Sequence, residues 1–241
     1  MKRPTTLYTC ATGVLFVLLY AVGRIPHPPL QTLLYGAAYA LPIACALLVG
    51  KAVEAPILER PARPRGIRHA VLCFPAVFGL LLCVALVSAA AFSSPVTEAQ
   101  SRISFFSVAR YALLCPLAEE CFFRLLPLRL YPKQAVKEAF LVSLLAFALF
   151  HATAARLPHA ALAAAAFFLA DLAADSVWPS LILHTLNNAL ALVYACFSQH
   201  ELFRTVFYIS VAVTAVLSLI YAFLQRKLFI YMLKNHFSPT T

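Results

Sequence analysis

The sequence predicts an all-α fold, a multi-pass transmembrane helical bundle of about eight helices. Three observations predict it. The chain is 63% hydrophobic over 241 residues and only 12% charged, where a soluble domain carries roughly 25% charged residues. The apolar residues fall in long runs, and a full crossing needs about 20 of them. The basic residues gather in the short stretches between those runs, as in the loops of membrane proteins. That placement argues against nucleic acid as a partner despite a net charge of +10. It leaves membrane lipid as the surroundings.

Eight candidate spans follow in order, at roughly 7–23, 30–50, 70–92, 103–126, 139–154, 159–173, 179–197 and 203–225. Lys2 and Arg3 ahead of the first apolar run resemble a signal peptide, but no small-residue cleavage site follows, so it reads as an uncleaved first span. The fifth and sixth are short, as for helices set within a bundle. With the N-terminus inside, thirteen basic loop residues lie on the cytoplasmic side and Arg24, Arg102, Arg156 and Arg204 lie opposite. That asymmetry puts both termini in the cytoplasm. The basic stretch 51–68, with Pro56, Pro61 and Pro64, reads as a cytoplasmic loop. The seven cysteines show no metal-binding spacing and read as small buried hydrophobes.

Polar residues interrupt three spans. Glu119, Glu120 and Arg124 lie in the fourth, His151 ends an apolar run after Phe147 in the fifth, and His184 and Asn188 lie in the seventh. Ionisable groups at membrane depth are costly and mark functional sites. At 1.5 Å rise per residue, Glu119 lies about 12 Å deep, His151 about 18 Å, and His184 and Asn188 about 7 and 13 Å. The three clusters therefore share one level. Glu120 and Arg124 are spaced i, i+4 with the glutamate first, the favourable order for an ion pair. His184 and Asn188 share a helix face by the same spacing. Pro116 removes a helix hydrogen bond just before the glutamates.

These groups can hydrolyse a peptide bond. No G-x-S-x-G elbow and no H-E-x-x-H helix occurs. What remains is Glu119 with His151 to activate a water, and His184 with Asn188 to donate hydrogen bonds to an oxyanion. That mechanism needs no cofactor. The alternative is a divalent metal such as zinc, held by Glu119, His151 and His184. Asp171 and Asp175 read as a solvated turn. His27, His69, His159, His200 and His236 lie near loops or span ends and are given no catalytic role. Arg110 stands inside a span, as a residue that snorkels or pairs within the bundle.

The three clusters resemble the CAAX protease and bacteriocin-processing family (CPBP, or Abi), whose eukaryotic branch is the type II CAAX prenyl endopeptidase. The family pattern is EExxxR, FxxxH, HxxxN; here it is met by Glu119, Glu120 and Arg124, by Phe147 and His151, and by His184 and Asn188. The resemblance implies an eight-helix bundle and an intramembrane endopeptidase acting on a membrane-associated peptide or protein, lipidated or not. It assigns Glu119 and His151 to water activation, His184 and Asn188 to the oxyanion, and Glu120 and Arg124 to support. It implies a catalytic core at 103–197, flanked by N-terminal helices at 1–102 and a C-terminal helix with a basic tail at 198–241. The compact chain is expected in a bacterial inner membrane. Two departures stand out: Leu125 replaces a common glycine, and Ala174-Asp175 replaces a common Thr-Gly turn. The competing readings are a transporter or proton relay, and a non-enzymatic scaffold or immunity protein.

Overall fold

Helices α1 (Lys2–Gly23) and α2 (Pro28–Val49) open the chain and pack on one another. The computed structural model describes residues 2–49, 57, 75, 77–79, 81–83, 108–151 and 157–237, and among them there is no strand. Helical positions recur at 77–79 and 81–83, inside the expected third span. The rest of that span lies outside the described residues, as does the basic stretch 51–68 apart from 57. Gly79 meets the helix carrying Ser218 so closely that an added Cβ would fall 1.8 Å from Ser218 Cβ. Small residues allow such approaches between membrane helices.

From residue 108 the expected fourth span is one helical run with two changes of winding. A π-helical segment, Ala109–Leu114, leads into α3 (Cys115–Glu120). A second π segment, Cys121–Leu125, leads into α4 (Leu126–Leu130). Proline explains the pattern. Pro116 and Pro127 have no N–H to donate, and their rings crowd the preceding turn. The residue before each donates five residues back, Cys115 to Arg110 O and Leu126 to Cys121 O. Both wide turns thus end one residue ahead of a proline. They bracket Glu119 and Glu120, and such turns often occur at functional sites.

A 3₁₀ turn (Lys133–Ala135) leads into α5 (Val136–Phe150), followed by α6 (Leu157–Ala174), α7 (Trp178–Phe197), α8 (Glu201–Leu224) and α9 (Arg226–Phe237). Helix α5 has 15 residues, fewer than the roughly 20 of a full crossing. Within the stretch read as a basic tail, Arg226–Phe237 form α9, which packs against α5 and α6. Among the described residues four helices are long and apolar enough to cross a membrane: Pro4–Gly23 within α1, α6, α7 and α8. The all-α membrane bundle expected from the sequence is the architecture found.

The main core gathers Phe122, Phe123 and Leu126 with Tyr8 and Leu15 of α1, Tyr39 of α2 and Phe147 of α5. A second core joins Leu81, Phe167 and Leu183 across an alanine-rich face of α6. That face includes Ala163, Ala166 and Ala170, small enough to bring α6 close to its neighbours. Val17, Leu33, Leu202 and Leu217 point outward and are largely exposed, as on a lipid-facing surface.

Candidate active site

Three elements converge at the glutamates. Helix α3 packs against α2 on one side and α7 on the other, and the segment that follows α3 packs against α5. Glu119 and Glu120 are buried at its C-terminal end, at 5% and 2% exposure. They point in different directions and have different partners.

Glu120 joins two helices. His184 Nδ1 donates to its Oε1 at 2.7 Å. Arg124 Nε lies 3.2 Å from its Oε2, an ion pair rather than an aligned hydrogen bond. The pair expected from the i, i+4 spacing therefore forms, in full burial. Arg124 is 0% exposed, and its guanidinium lies over Phe147 at 4.2 Å and Phe167 at 5.4 Å. Aromatic faces attract a desolvated guanidinium.

Glu119 faces the histidines. Its Oε2 is 3.8 Å from His151 Nε2 and 3.8 Å from His184 Nε2. Its Oε1 accepts a hydrogen bond from Tyr35 of α2 at 3.2 Å. Oε2 is buried with no hydrogen-bond partner among the described residues. Both rings are oriented by their other nitrogen. His151 ends α5, and its Nδ1 donates to Phe147 O at 3.0 Å. His184 Nδ1 donates to Glu120. In a singly protonated ring, each Nε2 is then the lone-pair nitrogen. The result is a carboxylate oxygen with two acceptor nitrogens 3.8 Å from it. A separation of 3.8 Å is too long for a direct hydrogen bond and suits a bridging water. His151 is the most open of the three, with 27% of its side chain exposed.

The motif phenylalanine packs at the centre. Phe147 has its ring 4.5 Å from His151 and 5.9 Å from His184, besides carrying Arg124. Phe167 stacks on His184 from α6 at 5.4 Å.

Asn188 stands apart. Its Nδ2 donates to Tyr111 O at 2.9 Å, and its Oδ1 accepts from Asn187 at 3.4 Å. No side-chain hydrogen bond joins it to Glu119, His151 or His184 among the described residues. The amide has a second N–H, so the bond to Tyr111 orients the group without exhausting it.

The expected solvated turn is corrected at Asp171, which is 1% exposed. Its Oδ1 accepts the Ser180 N–H at 3.0 Å, in the first turn of α7. Asp175 does lie in the turn, in the left-handed region at φ 53°. Ser176 N donates to Asp171 O and Asp175 N to Leu172 O, the paired bonds of a left-handed helix cap. A glycine commonly serves there, so the Ala174-Asp175 departure preserves the turn with a residue that tolerates the conformation.

A metal would have to sit among Glu119, His151 and His184. The donor types suit zinc, but tetrahedral zinc holds neighbouring ligand atoms about 3.4 Å apart. The observed separations are 3.8 Å. No group of three His, Cys, Asp or Glu side chains converges closely enough for a metal among the described residues. As they stand, these residues do not fit the ion.

Sequence reasoning passed over Tyr35, Ser180 and Phe167 and misread Asp171. Tyr35 carries no signal in sequence, since it is an aromatic in an apolar run far from Glu119. Asp171 carries a weak one, an acid four residues before a turn.

Residues 101–190 match the family described as type II CAAX prenyl endopeptidase Rce1-like. The match contains all three motifs, so the resemblance read from them is borne out over this segment. The family is one of CAAX-type endopeptidases, and the four crossing-length helices make this a membrane protein. No curated protein and no solved structure matches the chain significantly.

Proposed function

We propose that the protein is an intramembrane endopeptidase that cleaves a membrane-associated, lipidated substrate with a water activated by Glu119. The observation that carries this reading is Glu119 Oε2, which has no hydrogen-bond partner among the described residues and lies 3.8 Å from each of two histidine Nε2 atoms. A water there donates hydrogen bonds to the carboxylate and to His151. As the water oxygen attacks the scissile carbonyl carbon, its proton passes to Glu119. The carbonyl oxygen becomes the oxyanion. Asn188 donates to it from its free N–H, and His184 donates from Nε2 when its ring carries both protons. In that form His184 and Arg124 balance the charges of Glu119 and Glu120. Collapse of the tetrahedral species breaks the C–N bond, and the proton held by Glu119 passes to the leaving amine.

Each supporting residue has a task in this scheme. Glu120 and Arg124 orient His184. Tyr35 fixes Glu119 so that Oε2, rather than Oε1, faces the water. Phe147 separates Arg124 from the histidines and excludes bulk solvent. No resident metal is required. Both termini lie in the cytoplasm of a bacterial inner membrane, and the substrate reaches the site from the cytoplasmic half of the bilayer, by the open side at His151.

The test compares protein termini by mass spectrometry in cells carrying wild-type protein or Glu119→Ala at matched abundance. New termini seen only with wild type are expected, and they identify the substrates. Identical termini with both proteins present in the membrane would overturn the reading and favour transport or scaffolding.

A further inference from the structure

Arg110 has no task in that mechanism. It precedes Glu119 by nine residues on the same helical run. A guanidinium in a membrane segment is expensive unless an anion or water matches it. Among the described residues no carboxylate pairs with Arg110, and its partners are neutral. Nη1 donates to Gln31 Oε1 at 2.8 Å. The guanidinium lies 4.7 Å from the Tyr35 ring centre and 5.5 Å from that of Tyr111. Its Nε is buried with no hydrogen-bond partner among the described residues. The Cys115 thiol also lies against it. Two aromatic faces, one amide and a thiol thus hold the group in place, while its Nε remains unused among the described residues. This construction suits recognition of an incoming anion, because a planar fork held in advance matches a carboxylate.

Tyr35 connects this cation to the chemistry. Its ring lies against Arg110, and its hydroxyl donates to Glu119 Oε1 at 3.2 Å. One tyrosine therefore spans the distance between the guanidinium and the candidate water-activating carboxylate. Through that ring the guanidinium carbon and Glu119 Oε1 are no more than about 11 Å apart, close to the roughly 10 Å that three extended peptide residues cover.

We propose that Arg110, held by Gln31, Tyr35 and Tyr111, binds the free C-terminal carboxylate of the substrate, three residues beyond the scissile bond. This rests on the endopeptidase reading above. A C-a-a-X tail carries its lipid on the cysteine. Cut on the carboxyl side of that cysteine, it leaves three residues ending in a free carboxylate, which is the length the site accommodates. Arg110 then acts as a ruler. It restricts an endopeptidase to chain ends and rejects internal bonds, where no carboxylate stands at the required distance.

The test uses two farnesylated peptides ending in Cys-Val-Leu-Ser, one a free acid and one a C-terminal amide. Wild type is expected to favour the acid in kcat/KM by about tenfold or more, the range of a charge-assisted hydrogen bond. In Arg110→Gln the ratio falls to near one, and in Arg110→Lys it is intermediate. Each ratio is measured within one variant, so a general loss of folded protein divides out. A ratio near one in wild type, or an unchanged ratio in Arg110→Gln, overturns the proposal. Binding of the same peptides to Glu119→Gln protein, followed by fluorescence polarisation, separates the two readings. If Glu119→Gln still cleaves but the acid preference depends on Arg110, the water-activation reading fails and the carboxylate site stands. If cleavage requires Glu119 but no acid preference exists, the carboxylate site fails alone.

Discussion

His184 donates to Glu120 across 2.7 Å, and the bond ties α7 to α3. The first and third sequence motifs are therefore one physical unit. Glu120 presents one oxygen to His184 and the other to Arg124, so a single carboxylate neutralises a buried guanidinium and aims an imidazole. Aiming His184 in this way turns its Nε2 toward Glu119.

Removing only one partner of this unit is predicted to cost more than removing two. Glu120→Leu leaves Arg124 buried and uncompensated, a loss of about 3–5 kcal/mol. Glu120→Leu with Arg124→Met leaves an apolar cluster against Phe147 and Phe167 and is expected to recover most of that stability. Unfolding of purified protein in detergent measures both. Additive losses in the double variant would show that the two residues act independently.

Tyr35→Phe retains the ring and deletes the hydroxyl that donates to Glu119. The expected result is a kcat about tenfold lower with little change in KM, since a hydrogen bond to a charged group contributes about 1.5 kcal/mol or more. The acid-over-amide preference assigned to Arg110 should survive, because the ring beneath the guanidinium is kept. Steady-state kinetics on both peptides checks the two halves of this statement separately.

Chelation is predicted to leave cleavage intact. The separations of 3.8 Å from Glu119 Oε2 to the two Nε2 atoms are wider than zinc ligands adopt. The measurement is the rate before and after prolonged dialysis against a zinc chelator. Loss of activity, restored by added zinc, would transfer the water to a metal.

The sequence made the residues with charge legible and left the neutral ones hidden. Glutamates, histidines and an arginine in apolar runs are conspicuous because membrane burial is costly for them, and simple rise per residue set them at one depth. The same arithmetic could not find Tyr35, whose aromatic ring looks like any other lipid-compatible side chain until α2 is packed against α3. It misread Asp171 because a polar residue near a turn normally faces water, whereas here the last turn of α6 is buried against the start of α7. The π turns were also out of reach. Pro116 signalled a disturbance, but a wider winding, rather than a kink or an opening, depends on how the surrounding helices hold the run straight.

Asp175 tests the left-handed cap between α6 and α7. Its φ of 53° suits glycine, so Asp175→Gly should be neutral or slightly stabilising. Asp175→Val places a β-branched side chain in that conformation and is expected to cost about 1–2 kcal/mol. Thermal unfolding of the two variants, which differ in sign or nearly so, checks the assignment without reference to activity. Equal effects would place the turn in another conformation.

Asp171 offers the sharpest separation of positioning from charge. The residue before α7, Val177, supplies no side-chain cap, so the first N–H groups of that helix depend on neighbours. Asp171 Oδ1 reaches across from α6 to accept the Ser180 N–H at 3.0 Å. A carboxylate at a helix N-terminus is also favoured by the helix dipole. Ser180 lies one turn before His184, so this contact fixes the end of α7 that carries the imidazole. Asp171→Ala removes the acceptor, which should cost about 1 kcal/mol in stability, as loss of a helix cap does. It should also lower kcat as His184 shifts from Glu119. Asp171→Asn keeps an oxygen in place and should retain most of the stability and most of the rate. If Asn is as damaging as Ala in both measurements, the charge of Asp171 beside Glu120 and Arg124 matters more than its bond to Ser180.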